Sequence, residues 1–281
     1  MQDILQNIRK SLSGFYPDNE ISGLVRLLIE HVTKSSMPAL LSDKNTKITS
    51  EEVLKIDKIV ERLQRFEPIQ YILGETEFYG LRFTVNQDVL IPRPETEELV
   101  ELILNENKGT QPHILDIGTG SGCIAISLQK HLPKASVKGW DISEKALAVA
   151  TLNSKSNSVN VSFDQVDILS DYPTDQHFDI TVSNPPYVLD SEKTDMHANV
   201  LDYEPHTALF VADNDPLLFY NRIADVAIQL LTNGGKLYFE INRAKGQETI
   251  KMLEDKNFSE IRLIKDISGN DRMVRAEYHR K

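Results

Sequence analysis

Cysteine is nearly absent. The single Cys123 has no partner for an internal disulfide, and the chain reads as a cytoplasmic protein. Positive charge is also short: Lys and Arg total 31 against 42 Asp and Glu, a net charge of −11. Proteins that hold nucleic acid through its phosphates usually show a basic face, so no direct nucleic-acid substrate is expected. Apolar runs are short and broken by charge, which excludes a membrane-spanning helix and leaves no expected membrane partner. The opening residues Met1-Gln2-Asp3-Ile4-Leu5 lack the basic head and apolar stretch of a secretory signal. The seven histidines form no HxxxH or Cys/His cluster, so no metal is expected. There is no tandem repeat and no low-complexity tract. What is there is a composition 40% hydrophobic and 26% charged, in a chain long enough for a large α/β domain and a smaller one.

Residues 1–72 carry helical periodicity. Ile4, Ile8 and Leu12 recur on one face, as do Ile21, Leu24, Val25, Leu28, Ile29 and Val32, then Val53, Ile56, Val60 and Leu63. Thr49 and Glu52 have capping-box spacing at the start of the last run. Each run has a single apolar face, so they predict a small bundle that serves packing or recognition. Residues 73–90 read as a β-hairpin linker, from Phe78, Tyr79, Leu81, Phe83 and Val85 with Gly80 as punctuation. Residues 91–281 form the α/β domain. Strands are predicted at 113–117, 137–141, 161–166, 180–183, 236–241, 261–265 and 273–278, and helices at 123–132, 143–156, 216–231 and 247–256. Only seven residues separate the last two strands, too few for a crossover helix, so they should pair antiparallel. Glu95 and Glu97 read as helix-start or loop-positioning residues.

Asp116-Ile117-Gly118-Thr119-Gly120-Ser121-Gly122 stands where the first strand of this domain turns into its first helix. Glycines there let backbone approach a ligand, and the helix N-terminus offers N–H groups. The rhythm is G-x-G-x-G, which departs from the dinucleotide fingerprint G-x-G-x-x-G. An acid two residues ahead suits a ligand with an amino-acid end: ammonium toward the carboxylate, carboxylate toward backbone N–H. Asp141 ends the second strand, where an acid can accept from ribose hydroxyls. Asp167 and Ile168 follow the third strand, placed for an exocyclic amine and an adenine face; Asp167 is also an ordinary turn residue. Cys123 reads as a small buried hydrophobe. A dehydrogenase or a nucleotide-binding module is the competing reading, and the glycine rhythm disfavours it.

Ser183-Asn184-Pro185-Pro186-Tyr187 closes the fourth strand. The prolines lack N–H groups and hold Asn184 extended, so carbonyls there are not absorbed in a ladder. Asn184 offers a side-chain oxygen, Pro185 a backbone oxygen and Tyr187 a flat ring. That set suits a planar NH₂ group. An aspartate at 184 keeps an acceptor of the same reach but adds a negative charge, so it should retain more activity than alanine or bind the cofactor more tightly.

With these residues the sequence resembles the HemK/PrmC peptide chain release factor glutamine methyltransferases. Leu90-Ile91-Pro92-Arg93-Pro94-Glu95-Thr96-Glu97, Asp116 to Gly122 and Asn184 to Tyr187 carry the likeness, which runs from about residue 60 to the C-terminus. Pro68 to Gly74, Glu204-Pro205 and Lys265-Asp266 with Arg272 extend it. The resemblance implies a Rossmann-like, seven-stranded class I methyltransferase domain preceded by a helical bundle and a β-hairpin linker. It implies S-adenosylmethionine as cofactor, held by Gly118, Thr119, Gly120, Ser121, Gly122, Asp141, Asp167, Ile168 and Asn184. It also implies a class I release factor as protein partner, methylated at N5 of the glutamine in its Gly-Gly-Gln motif. Asn184, Pro185, Pro186 and Tyr187 would be the substrate site, with Asn184, Pro185 and Tyr187 catalytic. The alternatives are a ribosomal-protein glutamine methyltransferase and an adenine-N6 methyltransferase, the latter needing a basic channel that the charge disfavours. Two loops depart from the family: Phe210 to Pro216 lacks its usual glycines, and Asn242-Arg243-Ala244-Lys245 stands where a glycine usually follows Glu240-Ile241.

Overall fold

The computed structural model describes residues 2–42 and 48–280. The chain divides into two compact units, residues 1–74 with 197–203 and residues 75–196 with 204–281. No helix of the described residues is long and apolar enough to cross a membrane.

The first unit holds helices α1 (Gln2–Leu12), α2 (Asp18–Thr33), α3 (Met37–Ser42), α4 (Ser50–Leu63) and α5 (Ile69–Leu73). The apolar faces read from the sequence meet in one core: Ile8, Leu12, Leu24, Leu28, Ile29, Ile56 and Leu63 are buried together. The capping box forms, with Glu52 N–H donating to Thr49 Oγ1 at 3.2 Å and Thr49 N–H donating to Glu52 Oε2 at 2.7 Å. A distant segment completes this unit. The short helix α9 (Ala198–Leu201) lies in the 197–203 segment, and the Tyr203 hydroxyl donates to the Arg65 carbonyl at 2.9 Å.

The second unit opens with the predicted hairpin, β1 (Glu75–Phe78) paired antiparallel with β2 (Leu81–Thr84). It continues through α6 (Pro94–Glu106), β3 (His113–Ile117), α7 (Cys123–His131), β4 (Ser136–Asp141), α8 (Glu144–Ser156), β5 (Ser162–Gln165) and β6 (Phe178–Ser183). After β6 come β7 (Val188–Leu189), β8 (Phe210–Val211), α10 (Leu218–Leu230), β9 (Leu231–Glu240), α11 (Gly246–Asp255), β10 (Phe258–Lys265) and β11 (Asp271–Tyr278). Seven strands form one sheet in the order β10-β11-β9-β6-β3-β4-β5. β11 runs antiparallel to both β10 and β9, as the short connection requires, and the other pairings are parallel. Side chains alternate between two cores. Leu115, Leu237 and Phe239 join Tyr220, Ile223 and Leu253 from α10 and α11. Ile114 and Tyr238 join Leu99 and Ile103 of α6, Ile126 of α7 and the hairpin's Phe83.

The sequence predicts no helix at α6 beyond a helix start or loop at Glu95 and Glu97. Pro94 in fact takes the first helical turn, where its missing N–H costs nothing, and Leu99, Val100, Ile103 and Leu104 are the buried face. The short pieces between residues 188 and 211 show no periodicity to read; β7 and β8 pair with each other, and 3₁₀ turns lie at Asp190–Asp195 and His206–Ala208. β3 pairs with β4 on one side and β6 on the other, so the strand order reverses at β3. In open α/β sheets ligands bind at that reversal, beyond the carboxyl ends of the strands.

Candidate active site

A cavity of about 560 Å³ lies at this point. Its wall takes Gly118 and Gly120 from the loop after β3, Asp141 from the end of β4, Asp167 and Ile168 from after β5, and Asn184, Pro185 and Pro186 from after β6. Residues Gln87 to Leu90 and Phe210 are also among those that line it. The motifs read separately along the chain therefore share one chamber.

Not every residue of the glycine loop reaches it. Gly118 and Gly120 have φ of +72° and +55°, and a Cβ added at either would meet no atom within 4 Å, so both glycines face open space. Gly122, at φ +80°, has a different duty: a Cβ there would stand 2.9 Å from Ile126 Cδ1 and 3.1 Å from Ala150 Cβ. It lets α7 pack closely against α8. Thr119 and Ser121 are buried off the cavity wall. The Thr119 hydroxyl donates to Asp116 Oδ2 at 2.6 Å. Four loop N–H groups are already engaged: Gly118 and Thr119 donate to the Trp140 carbonyl at 2.8 and 2.9 Å, Gly120 donates to Asp141 Oδ2 at 2.8 Å, and Gly122 donates to the Thr119 carbonyl at 2.8 Å.

The acids divide by environment. Asp116 is fully buried, and its Oδ1 accepts no well-formed hydrogen bond among the described residues. Burial pushes its pKa up to about 7 against the smaller opposing pull of the Thr119 hydroxyl. Asp141 accepts from Gly120 N–H and, through Oδ1, from Ser143 N–H at 2.9 Å; burial holds its pKa above the ordinary value. Asp167 is a turn residue in this fold, accepting from Leu169 N–H at 2.9 Å and the Ser170 hydroxyl at 2.8 Å. Arg222 of α10 ties that turn down through the Ile168 carbonyl and the Ser170 carbonyl. Cys123 behaves as a small hydrophobe, its thiol raised to about 12 by burial.

Asn184 belongs to a network that sequence reasoning missed. Its Nδ2 donates to Thr96 Oγ1 at 3.2 Å, and the Thr96 hydroxyl donates to Glu240 Oε2 at 2.6 Å. The Tyr187 hydroxyl donates to Glu240 Oε1 at 3.1 Å. Glu240 is 1% exposed, and burial raises its pKa although both hydroxyls pull it down. The Thr96 hydrogen is taken by Glu240, so Thr96 can only accept from Asn184. That fixes the Asn184 amide: its NH₂ is engaged and Oδ1 remains as acceptor. Tyr187 is not on the cavity wall; its ring packs against the sheet core and its phenol pKa is raised, chiefly by burial. No hydrogen bond to the Pro185 carbonyl is formed by the described residues. The signal for Thr96 lay in its position after Ile91-Pro92-Arg93-Pro94-Glu95, and for Glu240 in its place at the carboxyl end of a central strand. Arg93 is locked too, its Nη2 lying 2.6 Å from buried Glu204 Oε1 while Ile91 N–H donates to Oε2 at 3.2 Å.

Comparison with known proteins bears on this arrangement. Residues 3–74 match the PrmC N-terminal domain and residues 95–205 the Methyltransferase small domain. A release factor glutamine methyltransferase of Bacteroides thetaiotaomicron is 49% identical over 277 residues, 98% of this chain and 99% of that protein. This chain belongs to the release factor glutamine methyltransferase family. Another member, from Flavobacterium psychrophilum, is 48% identical over 273 residues, 96% of each chain. The crystal structure of a methyltransferase from Pyrococcus furiosus superposes with a TM-score of 0.54 at 16% identity, covering 83% of this chain and all of the other. That likeness speaks for the class I methyltransferase fold, and the family supplies the reaction type.

Proposed function

We propose that this chain transfers the methyl group of S-adenosylmethionine to N5 of the glutamine in the Gly-Gly-Gln motif of a class I peptide chain release factor. The observation that carries this reading is the Asn184–Thr96–Glu240–Tyr187 network, which leaves an amide oxygen and a free carbonyl at the cavity edge. Relatives named release factor glutamine methyltransferase match almost the whole chain.

The residues present fit the cofactor. A Cβ at Gly118 or Gly120 would project into open space at the cavity these glycines line, while Asp116 lies fully buried off its wall. Asp141 has lone pairs left for ribose hydroxyls, and Ile168 offers an apolar face to adenine. When bound, S-adenosylmethionine supplies an electrophilic methyl on a sulfonium. An amide nitrogen is a poor nucleophile, because its lone pair is delocalised into the carbonyl. Asn184 Oδ1 and the Pro185 carbonyl accept the two N–H bonds of the glutamine amide, turning its lone pair toward the methyl. Both acceptors would stabilise the positive charge that grows on the amide nitrogen as it takes the methyl. The nitrogen then releases a proton, so no strong base is required. Positioning and preorganised electrostatics of this kind lower barriers by several kcal/mol.

Three tests follow the parts of this reading. Incubating the protein with S-adenosylmethionine and a release factor, then mapping the product by mass spectrometry, should find one methyl on the Gly-Gly-Gln glutamine; a methyl on another residue or on nucleic acid would refute it. Asp141→Ala should weaken S-adenosylmethionine binding by about 1–3 kcal/mol, roughly ten- to a hundredfold in Kd by calorimetry. An unchanged Kd would remove Asp141 from the ribose site. We assign the first unit to substrate docking in the cytoplasm, since every cofactor and acceptor motif follows residue 90. Deleting residues 1–72 should leave cofactor affinity nearly intact and lower methylation of an intact release factor at least roughly tenfold. A full rate in the truncated protein would defeat the docking role.

A further inference from the structure

Asn242 stands two residues beyond Glu240, in the loop that follows β9. The side chain is 6% exposed and fully engaged. Its Nδ2 donates to the Tyr187 carbonyl at 3.1 Å and to Glu192 Oε2 at 3.1 Å, and its Oδ1 accepts from Ala244 N–H at 2.9 Å. Glu192 in turn accepts from Leu189 N–H at 2.8 Å, closing the turn that follows the acceptor segment. The carboxyl end of β9 thus holds Tyr187 twice, by its hydroxyl through Glu240 and by its carbonyl through Asn242.

We infer that Asn242 is a positioning residue for the acceptor site, setting Asn184-Pro185-Pro186-Tyr187 through the Tyr187 carbonyl. The inference rests on the glutamine-methylation reading above. One side-chain amide supplies this constraint. Its two hydrogens match its two acceptors, the Tyr187 carbonyl and the Glu192 carboxylate, with none left over. Asn242 is off the cavity wall and its side chain bonds to Tyr187, Glu192 and Ala244, so its effect falls on the acceptor side.

Asn242→Asp is the discriminating substitution. It keeps the shape and the acceptor for Ala244 N–H, but replaces both donated hydrogens with an oxygen facing the Tyr187 carbonyl and the Glu192 carboxylate. With release factor as substrate, kcat should fall roughly tenfold while the Kd for S-adenosylmethionine stays within about twofold. Amide exchange at Val188 and Leu189 should quicken while β3 and β4 stay protected. Asn242→Asp combined with Glu192→Gln restores a hydrogen bond between positions 192 and 242, with the introduced glutamine amide as donor, but not the bond to Tyr187. The double variant should therefore recover fold stability and remain slow. Wild-type kcat in Asn242→Asp, unchanged exchange at Val188 and Leu189, or full recovery of kcat in the double variant would each overturn the inference. Absence of methylation by the wild-type protein would instead overturn the functional reading beneath it, and the exchange measurement stands without that reading.

Discussion

Asn184→Ala should lower turnover at least about a hundredfold under saturating substrates, with S-adenosylmethionine still bound. The substitution removes the oxygen proposed to accept from the glutamine amide and keeps the cradle at Gly118, Gly120 and Asp141. It also leaves the Thr96 oxygen without its donor, yet Thr96 and Tyr187 keep their bonds to Glu240, so the local fold has other supports. Steady-state turnover with parallel calorimetry checks the result, and wild-type turnover would sink the amide-clamp mechanism. Asn184→Asp reverses an expectation drawn from the sequence. On reach alone aspartate should outperform alanine. In the structure the Thr96 hydrogen is already given to Glu240, so a carboxylate at 184 would find no donor there. It would also sit one threonine away from a second buried carboxylate. Asn184→Asp should therefore be no better than Asn184→Ala.

A second large effect concerns pH and Asp116. The carboxyl titrates at 3.8 in an ordinary setting and at about 7 in the fold, raised by burial. Below the ordinary value both folded and unfolded forms are protonated. Between the two values the fold keeps a proton that the unfolded chain has released, so stability falls as pH rises. Above about 7 the loss is complete, on the order of 4 kcal/mol. Asn at this position cannot ionise, so its own cost is the same at every pH. The stability difference between wild type and Asp116→Asn, from urea unfolding without cofactor, should therefore shift by on the order of 4 kcal/mol from pH 4 to pH 8, in favour of the variant. A constant difference would show that Asp116 ionises freely in the fold.

Much of this protein is local in origin and was legible in the chain. The capping box at Thr49 and Glu52, the glycine turn at Gly118 and Gly120, and the acid closing β4 depend on neighbours a few residues apart. Strand and helix periodicity predicted a parallel sheet ending in an antiparallel pair, which put Asp141, Ile168 and Asn184 at the same end of the sheet. The reading of the loop itself was coarser than its structure. Thr119, Ser121 and Gly122 share the motif with Gly118 and Gly120, but a run of residues does not say which of them face inward.

Only the tertiary structure decided what Asn184 and Tyr187 lean on. Thr96 and Glu240 are 144 residues apart, and Tyr187 and Asn242 are 55 apart. They meet because β6 lies between β3 and β9, with Ser183 in register opposite Phe239, so the residues after them, Asn184 and Glu240, emerge side by side. The same holds for residues 197–203, which leave the second unit's sequence to pack with the first. Hydrophobic period tells a strand which face to bury. It carries no record of which strand will be its neighbour, and the hydrogen bonds that aim the acceptor site are made between neighbours.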